Sequence, residues 1–148
     1  GQYTLTLDGL KAGSLERKTP ALEIQGDLTL VLKKGTESEL LSADAALKKG
    51  AGTLTIRGEG SLRLQGETAL EGEWKEETLN QDEPSALRIE GGKLVFTGEE
   101  TALYEDTVEL AGGEIQIQCL NGKGTGIRAH TLDDRHFSGS LEMEESEE

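Results

Sequence analysis

Aromatic rings, prolines and cysteines are scarce in this chain: one Trp, two Tyr, two Phe, two Pro and one Cys among 148 residues. Hydrophobic residues make up 34% and aromatic ones 3%, which leaves little with which to fill one central core. A solenoid tolerates this leanness, because its core is a thin column of Leu, Ile and Val contributed by short strands. Too few prolines are present for a Pro-rich linker. Cys119 stands alone, so an intrachain disulfide is excluded; a solenoid needs none, and an extracellular home stays open. No run of 18 apolar residues occurs, so no membrane-spanning segment is expected. A signal peptide is also missing: the sequence opens inside a strand pattern, Tyr3-Thr4-Leu5-Thr6-Leu7, which predicts that any targeting segment has been trimmed.

Positive charge is short as well. Fifteen Lys and Arg face 29 Asp and Glu, a net charge of −14, which disfavours binding to phosphate backbones and anionic membranes. Five of the acids (Glu142, Glu144, Glu145, Glu147 and Glu148) fall in the last seven residues. The expected organisation is one folded domain over residues 1–141 and an acidic, disordered tail over 142–148.

What is abundant is glycine, twenty residues of it, and short alternating runs. Leu28, Leu30 and Leu32 alternate with Thr29 and Val31. The pattern returns at Leu54/Ile56, Leu62/Leu64, Leu87/Ile89, Leu94/Phe96, Val108/Leu110 and Ile115/Ile117. Glycine turns bound each run, and Thr, Lys, Arg and Glu fill the outward positions, which reads as half-buried strands. Cys119 continues the Ile115/Ile117 face and reads as a small buried hydrophobe. Only Thr36 to Lys49, bracketed by Gly35 and Gly50, holds good helix formers, enough for a helical turn in a corner.

The pair Ala-(Leu/Ile) recurs at Ala21-Leu22, Ala46-Leu47, Ala69-Leu70, Ala86-Leu87 and Ala102-Leu103, with Gly126-Ile127 as a degenerate copy. The intervals are 25, 23, 17, 16 and 24 residues. Such a period marks one supersecondary unit that buries its apolar face only by stacking on its neighbours. The expected fold is all-β, a single-stranded right-handed parallel β-helix of six to seven coils; an antiparallel β-sandwich is the alternative.

The rhythm breaks twice, at the Glu-rich stretch Gly72–Ser85 and at His130–Phe137, and loops on a regular scaffold are where binding tends to sit. Candidate ligand-binding residues are Trp74 and Tyr104 as stacking platforms, with Arg128, His130, Asp133, Asp134, Arg135 and His136 as hydrogen-bonding groups. No catalytic residues are assigned. No cofactor is expected; a calcium ion would find carboxylates at Asp133-Asp134 or in the Gly72–Asp82 loop, but no Asp-x-Asp-x-Asp-Gly loop exists. The pairs Gly91-Gly92 and Gly112-Gly113 lack the Lys-Ser/Thr of a phosphate loop and read as turns.

The strings Tyr3-Thr4-Leu5-Thr6-Leu7-Asp8-Gly9, Pro20-Ala21-Leu22-Glu23-Ile24 and Gly52-Thr53-Leu54-Thr55-Ile56-Arg57-Gly58, with Gly92-Lys93-Leu94-Val95-Phe96, resemble bacterial secreted or cell-surface β-helix proteins of the carbohydrate-binding-domain type. The resemblance implies a non-enzymatic binding or adhesion module, extracellular or at the cell surface, with a polysaccharide or a surface protein as partner. The length, the acidic tail and Phe137-Ser138-Gly139-Ser140-Leu141 are also similar to bactofilins, which would imply a cytoplasmic scaffold that polymerises end to end. A polysaccharide lyase or hydrolase is the third expectation.

Overall fold

A computed structural model describes residues 2–50, 52–72, 85–121, 125–129 and 131–145. The first coil runs through β1 (Gln2–Leu7), β2 (Lys11–Gly13) and β3 (Leu22–Ile24), and the second through β4 (Asp27–Leu32), β5 (Glu37–Leu41) and β6 (Ala45–Lys49). In the third and fourth coils a single long strand covers two faces: β7 (Gly52–Gly58) with β8 (Ser61–Glu71), then β9 (Ser85–Ile89) with β10 (Lys93–Tyr104). The fifth holds β11 (Thr107–Leu110), β12 (Glu114–Cys119) and β13 (Thr125–Arg128), and β14 (Thr131–Asp133) and β15 (Ser140–Glu145) begin a sixth.

Every strand pairs in parallel with strands of adjacent coils. The result is a three-faced β-solenoid. Its first face stacks β1-β4-β7-β9-β11-β14, and its second stacks β2, β5, β8, β10, β12 and β15. The third stacks β3, β6, the ends of β8 and β10, and β13. Parallel pairing throughout removes the sandwich alternative for these residues. Five complete coils and part of a sixth stand close to the six to seven expected.

The period-two pattern fills the interior as columns. Leu28, Leu54, Leu87 and Val108 stack on the first face. Leu40, Leu64, Phe96 and Ile117 stack on the second, and Leu22, Leu47, Leu70, Leu103 and Ile127 on the third. Cys119 lies buried beside Ile115 and Ile117, its Sγ near the carbonyl oxygens of Glu99, Glu100 and Asn121. Gly58 closes a first-face strand at φ +112, and a Cβ there would run into the Leu32 backbone, so only glycine fits this corner.

Three expectations are corrected. Residues 36–49 form β5 and β6 and contain no helical turn, because cross-coil pairing and burial of Leu40, Ala45, Ala46 and Leu47 override helix propensity. Ala86-Leu87 is no copy of the third-face pair: Leu87 aligns with Leu54 on the first face. The true step from Ala69-Leu70 is to Ala102-Leu103, because Leu70 pairs with Leu103, and the long coil holds the inserted segment 73–84. Finally, the solenoid runs past residue 141, since residues 142–145 of the acidic segment pair with β12.

Candidate functional site

Tyr104 ends the third-face part of β10, and its register partner on the next coil is Arg128 at the end of β13. The stacking brings the Arg128 guanidinium 5.8 Å from the centre of the Tyr104 ring, a cation–π contact on the outer surface. Around the next corner, Asp133 closes β14, with Glu109 as its partner on the coil below. The Arg135 guanidinium grips both carboxylate oxygens of Asp133, at 3.0 Å and 2.9 Å, and its backbone N–H donates to Oδ1 at 3.1 Å. Those hydrogen bonds from Arg135, helped by its charge and that of His136, hold the Asp133 carboxyl at about 2. The same partnership raises Arg135. Asp133 is therefore an ion-pair acceptor across neutral pH and too weak a base for proton abstraction. Asp134 and His136 are exposed. Trp74 and His130 lie outside the described residues.

The predicted residues thus fall into two pairs, Tyr104 with Arg128 and Asp133 with Arg135, on either side of the corner between third and first faces. Among the described residues no group of three His, Cys, Asp or Glu side chains could hold a metal ion, Asp133-Asp134 included.

A second surface feature escaped the sequence reading. A depression of about 610 Å³ along the corner between first and second faces is lined by Lys11, Lys34, Glu37, Glu59, Ser61 and Lys93. Lys93 also lines the adjoining depression of about 290 Å³, together with Val95, Glu114, Gln116, Ser140 and Glu142. The two meet at Lys93, and their lining residues run from the first coil to the sixth. Lysine beside a corner glycine, as in Lys34-Gly35 and Gly92-Lys93, was the available signal, but only the stacking of the coils brings these residues to one depression.

Among the described residues, the interior holds a charged cluster that the sequence pattern does not foretell. Lys49 Nζ lies 2.9 Å from Glu105 Oε2, and both side chains are essentially inaccessible, at 1% and 0%. Nζ also donates to Ser85 Oγ at 2.8 Å and to the Gly50 carbonyl at 3.0 Å. Ser85 Oγ donates to Glu105 Oε1 at 2.6 Å, and the Asp106 N–H donates to the same oxygen at 2.8 Å. Oε2 makes no hydrogen bond of acceptable geometry, so its contact with Nζ is one of charge at an off-axis angle. Lys48 pairs with Glu71 and Glu71 with Tyr104, so the next residues, Lys49, Gly72 and Glu105, share a column. Glycine in the middle coil lets the outer two side chains meet; a Cβ at Gly72 would overlap the Glu105 carboxylate.

Compared with known proteins, the chain matches no protein-family model, no curated sequence and no solved structure.

Proposed function

We propose that this protein is a non-enzymatic binding module of the bacterial cell surface or exterior, and that its ligand is a linear polysaccharide. The observation that carries this reading is the pair of depressions that meet at Lys93 and together run from Lys11 to Glu142, read as one groove along the axis. Parallel coils repeat about every 4.8 Å, so a groove crossing several of them offers hydrogen-bonding groups at regular steps. A polymer laid along the axis can use such a series; a compact metabolite cannot. Tyr104 and Arg128 add a ring and a fixed cation on a neighbouring face for stacking and hydrogen bonding to hydroxyls. The ionised, Arg-gripped state of Asp133 weighs against acid–base cleavage at that corner. Calorimetry and glycan arrays with polyuronates and β-glucans test the reading. Binding that weakens at least tenfold in Lys93→Ala is expected; no binding by the intact chain to any linear glycan overturns it.

A second reading, a scaffold that assembles end to end, is favoured by a different observation. The core columns open to solvent at both ends, through Tyr3 at 69% and Leu10 at 39% exposed, and through Leu132 at 47% and Met143 at 52%. Sedimentation distinguishes the two: concentration-dependent filaments favour the scaffold, a monomer the binding module.

A further inference from the structure

We propose that Lys49 and Glu105 are the two halves of an intramolecular amide, a covalent cross-link between Nζ and Cδ that ties the second coil to the fourth across Gly72. The pair lies in a column whose other side chains are apolar, where an ammonium and a carboxylate lose their hydration and recover only part of it from each other. The amide carries no charge and needs only the hydrogen bonds already in place. Ordinary solution chemistry does not join an amine to a carboxylate, but burial and fixed orientation supply what dilution and water deny.

The surroundings divide the labour between the two carboxylate oxygens. Oε1 receives two hydrogen bonds, from the Ser85 hydroxyl and the Asp106 N–H, the arrangement that stabilises negative charge on a tetrahedral intermediate. Oε2 receives none and faces the ammonium, which suits the oxygen that departs. Ser85 Oγ and the Gly50 carbonyl accept from Nζ and hold the amine in place. Gly72 keeps that side of the carboxylate clear.

The step balances without any other reactant. The Lys49 ammonium gives one proton to Oε2, leaving a neutral amine and a neutral acid. The Nζ lone pair forms the bond to Cδ, and the electron pair of the carbonyl moves to Oε1, held there by Ser85 and Asp106. A second Nζ proton passes to Oε2, the Cδ–Oε2 bond breaks, and water leaves. The carbonyl re-forms at Oε1, one proton remains on the amide nitrogen, and nothing is oxidised or reduced.

Intact mass spectrometry of the purified chain, denatured before measurement, tests this directly. A cross-linked chain weighs about 18 Da less than its sequence, the mass of one water. After trypsin, cleavage following Lys49 is lost and a branched peptide joins the Lys49 and Glu105 segments. Lys49→Met restores the full sequence mass. In chains recovered unfolded and at full sequence mass from inclusion bodies and then refolded, Ser85→Ala is expected to slow the mass loss about a hundredfold, as removal of one such donor does elsewhere. The proposal is overturned by a wild-type chain at full mass that trypsin cuts after Lys49, or by a mass deficit that persists in Lys49→Met.

Discussion

A lysine and a glutamate meet across Gly72 in an interior otherwise largely apolar, and what a substitution does there follows from which charge it leaves behind. Lys49→Met supplies an apolar chain of similar reach but strands the Glu105 carboxylate, already without a hydrogen bond at Oε2. Removing one partner of a buried pair costs about 3–5 kcal/mol, and with the cross-link lost as well, urea unfolding should show a loss of at least that size. At the surface the same kind of pairing counts through pH instead. Arg135 lowers the Asp133 carboxyl from an ordinary 3.8 to about 2. A depressed folded-state value means the pair favours the fold fully above the unfolded value, and that contribution disappears as pH falls through about 2. Carboxyl NMR should place the Asp133 midpoint near 2 in the parent chain, and near 3.8 in Arg135→Ala. A midpoint unchanged by that substitution would refute the ion pair as its cause.

Strands in a solenoid are interchangeable by design, and the corners decide where one coil ends and the next begins. Four of the third-to-first-face corners cross in two residues, as at Glu105-Asp106 between β10 and β11. The remaining one, between β8 and β9, takes the chain from Glu71 to Ser85. Register locates the insertion to the residue. Gly72 shares a column with Glu105, and Ser85, one place before Ala86, aligns with Asp106, one place before Thr107. Joining Gly72 directly to Ser85 therefore reproduces the Glu105-Asp106 corner. A chain lacking residues 73–84 should keep its β-sheet circular dichroism and melt with a stability within about 1 kcal/mol of the parent, since the length of chain between two fixed ends is thermodynamically cheap. Loss of cooperative melting would contradict this register. The same insertion explains what the sequence concealed. It stretched one interval to 33 residues, and Ala86-Leu87 fell near its middle by coincidence of type, so one repeat was read as two. The strands themselves were legible because alternation is a local property. The meeting of Lys49 with Glu105 was not, because it depends on a register that only the count of coils supplies.

At the scale of the whole molecule, each coil pairs its strands only with the coils before and after it, and Lys49 with Glu105 reaches one coil further, so stability is close to a sum of coil and interface contributions rather than a property of one core. Alternation with glycine turns and a scarcity of bulky residues pointed to that architecture, and the parallel pairing of the strands separates it from the sandwich that the same alternation allows. The candidate site was less legible. Tyr104 with Arg128 and Asp133 with Arg135 come together as residues near a break in the rhythm, whereas Lys11, Lys34 and Lys93 reach one depression only once the first four coils are stacked. The columnar arrangement also dictates how the molecule opens. Central columns such as Leu64 and Phe96 are sealed on both sides, while Tyr3 and Met143 end theirs in solvent. Opening a terminal coil breaks one interface, and opening a central coil breaks two. Hydrogen exchange should therefore be slowest for amides of β5, β8 and β10 and fastest for β1, β2 and β14, with a graded rather than uniform profile between. Protection that is equal along the axis would mean that the coils unfold as one unit. Polysaccharide bound across the two depressions that meet at Lys93 should flatten the gradient by holding the end coils to the centre. Assembly end to end would instead protect only the terminal strands, so the same exchange profile separates the two functional readings.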